Sequence, residues 1–188
     1  MYRSGASRPC DQGSRVQQTT TSLHAQERDS PLSTETESVN TPIARTGETV
    51  DFGGNLMTFL AVGADTGGAY SVAHYTAQPG SGAPLHLHHN EVESFYILEG
   101  AMTFRLGEQR VRATANECVT IPRLAPHAFA NAEDTPAKML VILTPAGLEN
   151  YFAELSALAH QPGGPTAEQI DALNEQYNLD FSLGQKQA

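Results

Sequence analysis

From Thr46 to Thr144 the chain is built from short apolar runs broken at close intervals by Gly, Pro, Asn and Asp, and no stretch there carries a helical period. Runs this short can bury themselves only by pairing with one another, so the punctuation points to an all-β sandwich or barrel. Strands are expected at 56–62, 69–77, 93–99, 101–106, 109–114, 118–121, 125–130 and 137–143, within a set of about nine. ADTGG at 64–68 reads as a turn and PGSGAP, ending at Pro84, as a loop. Gly100 reads as the pivot of a hairpin whose arms are 93–99 and 101–106.

The pattern changes on both sides of this region. After Thr144-Pro145, Leu148, Tyr151, Phe152, Leu155 and Leu158 recur at steps of three and four, which predicts an amphipathic helix. QPGGP ends it. Thr166 with Gln169 then forms a capping box that opens a second helix, with Ile170, Leu173 and Tyr177 as its apolar stripe. At the other end, residues 1–42 hold 9 apolar side chains and abundant Ser, Thr and Gln, too little to offset chain entropy, so a disordered tail is expected. The expected division is therefore 1–42 tail, 43–145 barrel and 146–188 helical appendage.

Charge narrows the function classes. With 11 basic and 21 acidic residues the net charge is -10 and the pI about 5.0, which argues against nucleic acid and anionic membrane surfaces as partners. No apolar run approaches the ~18 residues of a membrane span, and the arginine-bearing start lacks the apolar segment of a secretory signal. A cytoplasmic location is expected. Cys10 and Cys118 form no paired spacing and are read as a tail residue and a small buried strand residue.

One string carries chemistry. In GSGAPLHLHHNEVESFYILEG, His86 and His88 are two apart, so an extended strand projects both from one face, with His89 on the other. Glu93 follows after a short turn and opens the next strand beside them. His127, in PRLAPHAFAN, is a third imidazole from a separate strand. Such donors suit a divalent first-row ion with positions left for water, substrate or dioxygen. Phe95, Ile97 and Phe129 alternate in phase with Glu93 and His127 and are expected to wall an apolar pocket for a small molecule. His74 alternates with Tyr70 and Val72 and is a candidate pocket residue, its alternative being an ordinary barrel histidine. Tyr96 is out of phase with Glu93 and reads as packing. Arg105 and Arg123 are rim candidates, while His24 and His160 have no supporting context.

Together these strings resemble the two cupin motifs. The first is matched at Gly80, His86, His88, Glu93 and Gly100; the second at Pro122, His127 and Asn131, with Asn116 and Leu124 where the family carries glycine. Asn tolerates the left-handed backbone that glycine usually supplies, whereas Leu124 is expected to force a repacked turn. The resemblance implies a double-stranded β-helix (jelly roll, RmlC-like), a homodimer, and one metal ion (Fe, Mn, Ni, Co, Cu or Zn) held by His86, His88, Glu93 and His127. A narrower similarity, carried by ESFYILEG and the ending NEQYNLDF, is to bacterial single-cupin quercetin 2,3-dioxygenases. It implies flavonol ring opening by dioxygen, with Glu93 as both ligand and general base. The alternatives are a non-redox cupin isomerase, cyclase or lyase, and a non-catalytic small-molecule-binding cupin.

Overall fold

The computed structural model describes residues 47–52 and 55–183, so the expected tail at 1–42 lies outside the described residues. Among the described residues the elements run β1 (Glu48–Asp51), β2 (Leu56–Ala61), α1 (Gly63–Thr66), β3 (Ser71–Ala77), β4 (Gly82–His88), β5 (Val92–Glu99), β6 (Ala101–Leu106), β7 (Gln109–Thr114), β8 (Cys118–Ile121), β9 (His127–Ala130), β10 (Ala137–Thr144), α2 (Leu148–Ala159), α3 (Ala167–Gln176) and β11 (Leu179–Asp180). They form two antiparallel sheets, β1-β2-β3-β10-β5-β8 and β11-β4-β9-β6-β7, facing each other as a jelly roll. The core between them follows from simple alternation. On β3, Ser71, Ala73, Tyr75 and Ala77 are buried, and on β5 Glu93, Phe95 and Ile97 are.

Four expectations about local structure are corrected. Gly100 is not the pivot of a hairpin: β5 pairs with β10 and β8, and β6 with β7 and β9, so the chain crosses between sheets there. Local sequence marks the reversal, but the hydrogen-bond partners of each arm are set by distant strands. Gly100 has φ +74°, and a Cβ would sit 3.1 Å from Ala137 Cα, so glycine is needed at this corner. Likewise Leu124 does not repack its turn. It keeps the glycine-like conformation at φ +65° and donates its N–H to His88 O at 2.7 Å. A left-handed leucine costs roughly 1–2 kcal/mol, which that hydrogen bond and the fixed ends of the turn offset. Asn116 adopts φ +71°, as its residue type allows. The expected turn at 64–68 is largely the short helix α1, and Cys118 is exposed on β8 rather than buried.

The loop PGSGAP is half strand. Gly82 opens β4, and a Cβ there would lie 2.0 Å from Phe129 O, so glycine is what lets β4 approach β9. Asn131, fully buried just past the end of β9, ties that end to β3 and to the loop before β10. Its Nδ2 donates to Ala77 O and Thr135 O at 3.0 and 2.8 Å, and its Oδ1 accepts from Glu133 N at 3.0 Å.

Both predicted helices form, and the Thr166–Gln169 capping box is present. They lie against the barrel: Leu148 and Tyr151 of α2 and Leu173 of α3 join its core. Burying Leu148 alone contributes about 2 kcal/mol. The chain then returns as β11, which pairs Leu179 with His88 and Asp180 with Leu87. None of the helices described is long and apolar enough to cross a membrane.

Replacing Asn131 by Ala leaves the Ala77 and Thr135 carbonyls and the Glu133 N–H without this partner, the first of them in a buried site. The expected loss is about 3 kcal/mol of unfolding free energy, read from urea denaturation. A loss below about 1 kcal/mol would show that these bonds do not hold the β3–β9 junction.

Candidate metal centre

The β4–β9 register sets His86 directly opposite His127, and β4's alternation puts His88 on the same face two residues on. Glu93 comes from β5 in the other sheet, paired there with Leu143 and Ile121. The cluster therefore bridges the two sheets. All four side chains are buried, and one donor atom from each lies within 4.8 Å of the others.

The ring tautomers decide what this cluster can hold. His86 Nδ1 faces Pro84 O at 2.8 Å and His127 Nδ1 faces Ala125 O at 2.9 Å. A carbonyl only accepts, so in both neutral rings Nδ1 carries the proton and Nε2 turns its lone pair inward. His86 Nε2 lies 3.1 Å from His88 Nε2, and His127 Nε2 lies 3.2 Å from Glu93 Oε2. Lone pairs on nitrogen and carboxylate oxygen thus converge on one point. A divalent cation satisfies them together, and three imidazoles with one carboxylate are a donor set that first-row ions accept. The residues present fit the metal that the resemblance implies.

Burial pushes the pKa of His86 down from 6.5 to about 4, assisted by neighbouring His127 and opposed by Glu93. Burial acts upward on Glu93, but the close approach of His127 Nε2 to its Oε2 and the electrostatic pull of the three imidazoles outweigh this, leaving it below the ordinary carboxylate range.

Three of the four, His86, His88 and Glu93, line a cavity of about 350 Å³, while His127 closes it from behind. Its barrel wall includes Tyr75, Phe95 and Phe129; its opposite wall is helical, with Tyr151, Phe152, Leu155, Ile170 and Asn174. Phe181, just past β11, stacks on the His86 ring at 4.7 Å between centroids and 6° between planes. Burial also raises the Tyr75 and Tyr151 phenols to about 12, so both remain protonated donors, and Tyr151 donates to Asn174 Oδ1 at 3.0 Å.

Not every residue expected in the pocket is there. His74 is on the outward face of β3, level with Leu140 and Thr58, and its neighbour Tyr75 is the one that faces the cavity. Ile97 is fully buried but one alternation too deep in the barrel to reach the cavity. Phe95 and Phe129 do line it. Tyr96 points outward and donates to Asn116, His89 is exposed, and Arg105 bonds its own turn at Gly107 O. Sequence reading also missed Tyr75, Asn174 and Phe181. The ending NLDF contained Phe181, but a two-residue strand has no period to read.

Residues 73–143 match the Cupin_2 family (Cupin domain). Curated relatives include mannose-1-phosphate guanylyltransferase RfbM of Salmonella typhimurium, 33 % identical over 78 residues, which are 42 % of this chain and 16 % of that protein. Quercetin 2,3-dioxygenase of Bacillus subtilis is 28 % identical over 83 residues, 44 % of this chain and 25 % of the relative. Tetracenomycin polyketide synthase protein TcmJ of Streptomyces glaucescens is 27 % identical over 90 residues, 48 % of this chain and 58 % of the relative. The chain thus spans only 16 % of RfbM and little more than half of TcmJ. The jelly roll with this buried His/Glu cluster defines a cupin domain. The chain therefore carries a cupin domain, matched over residues 73–143.

Two outcomes follow from the site. Single His86→Ala and His127→Ala variants are expected to lose stoichiometric metal, measured by elemental analysis after chelator-free purification; full retention in both would exclude these ligands. In metal-free protein, the unfolded chain binds a proton on His86 near 6.5 that the folded chain refuses until about 4, and unfolded Glu93 likewise protonates before the folded form. The contribution of these two groups to stability is therefore full above pH 6.5 and falls as pH drops toward 4. Urea midpoints at pH 7, 5.5 and 4.5 should decrease in that order.

Proposed function

We propose that this protein is a metal-dependent cupin oxygenase of the quercetin 2,3-dioxygenase type, opening a flavonol or related enolic aromatic molecule with dioxygen. The observation that carries the reading is the junction of a His3Glu donor cluster with an aromatic-walled cavity large enough for a flat three-ring substrate. Similarity to the Bacillus subtilis quercetin 2,3-dioxygenase supports the same substrate class.

Phe95 and Phe129, with centroids 5.0 Å apart, line the cavity from the barrel side and Phe152 from the helical side, offering aromatic faces on which a planar ring can stack. Tyr75 and Tyr151 are held as donors, leaving the Glu93 carboxylate to take the substrate's hydroxyl proton at the inner end of the cavity. A divalent first-row ion held by His86, His88, Glu93 and His127 would supply Lewis-acid polarisation and a template for the substrate oxygens.

A non-redox reading, in which the same cluster serves an isomerase, cyclase or lyase, rests on the same donor set, since a divalent ion there can act as a Lewis acid alone. Dioxygen decides between them. Metal-loaded protein is expected to consume dioxygen in proportion to flavonol lost, and Glu93→Gln to slow turnover by about 10²–10⁴-fold at equal metal content. Turnover of an enolic substrate without dioxygen uptake would favour the non-redox reading. Tight binding with no turnover at all would favour a non-catalytic binder.

A further inference from the structure

Glu91 belongs to no role described above, yet it is only 5 % exposed. It lies in the loop between β4 and β5, two residues before Glu93, and shares that residue's inward phase. Its Oε2 is 3.6 Å from His88 Nδ1. Among the described residues neither atom has a hydrogen-bond partner, and both are shielded from solvent. Buried polar atoms are seldom left so, because each has given up its water.

The other two rings sharpen the contrast. His86 and His127 each rest Nδ1 on a carbonyl of their own strand or its approach, at 2.8 and 2.9 Å. His88 has no such carbonyl; the group opposite its Nδ1 is the Glu91 carboxylate. Arg123 lines the cleft on the far side of Glu91, but no ion pair joins the two.

We propose that Glu91 is a positioning residue of the metal centre. Its carboxylate accepts a hydrogen bond from His88 Nδ1–H, selects the tautomer whose Nε2 faces the metal, and makes that imidazole a stronger donor than its two carbonyl-bonded neighbours. A side-chain rotation moving either atom by less than about 1 Å closes the 3.6 Å gap. The role rests on the metal-centre reading given above. It is separate from the reaction, because Glu91 does not line the cavity.

The test uses Co(II) added to the full-length metal-free protein against a chromophoric chelator, with wild type, Glu91→Gln and Glu91→Leu. Glu91→Leu is expected to weaken Co(II) binding about 10- to 100-fold and to shift the ligand-field spectrum. Glu91→Gln, whose Oε1 still accepts, should recover most of that loss. Long-range ¹⁵N correlation spectra of histidine-labelled, Zn(II)-loaded protein should show the His88 Nδ1–H tautomer in wild type, and its proton exchanging faster with solvent in Glu91→Leu. His86 and His127 should be unchanged. Equal Co(II) affinity in all three proteins, with an unaltered His88 proton, overturns the role of Glu91 while leaving the metal centre intact. Failure of wild type to bind Co(II) or Zn(II) overturns the metal centre and this proposal together. Should Glu91→Leu not fold, the wild-type spectra decide: His88 in the opposite tautomer, with Nδ1 unprotonated, overturns the proposal.

Discussion

Everything at the site depends on one contact between backbones, the pairing of β4 with β9. Gly82 lets the strands approach, and the register then sets His86 against His127 without any side chain having to reach. The two carbonyls that orient these rings, Pro84 O and Ala125 O, are supplied by the same strands and their approach. Backbone geometry therefore presets two of the four donors. Glu93 is delivered from the opposite sheet, so the cluster exists only while both sheets are packed.

Such a cluster is expensive alone. Buried imidazoles and a carboxylate have surrendered their water, and the downward shift of His86 records that cost. A cation returns what burial removed, because it pairs with lone pairs that cannot pair with one another. Stability and metal binding are thereby linked at the same four residues. The cavity above them is shaped by a second device. The segment after the barrel lays α2 and α3 over the opening and then joins the sheet through β11, bringing Phe181 onto the His86 ring. The helical pair, expected from sequence as an appendage, lines one wall of the cavity.

Legibility varied by element, for physical reasons. Strands 101–106 and 118–121 read true because each is a short run rich in apolar or β-branched residues, and 109–114 because turn residues bound it on both sides. β4 was half hidden by the glycines and prolines that its approach to β9 requires, and β11 is too short to show alternation. The cavity wall was only partly readable: Phe95 and Phe129 follow from phase, whereas His74 and Ile97 did not reach the cavity. Alternation tells which face a residue takes, not how deep along the barrel it stands or where the cavity ends.

The sequence by itself determined the fold class, the two C-terminal helices and the four candidate donors. All of these depend on spacing along a single strand or helix, or on a motif string. Tertiary structure decided the rest. Only it could show that Gly100 turns a corner between sheets, that Tyr75 replaces His74 at the cavity, that Glu91 faces His88, and that Phe181 lies on His86. Each of these is a meeting of groups whose contact is fixed by packing, and packing leaves no period in the chain that local reading can detect.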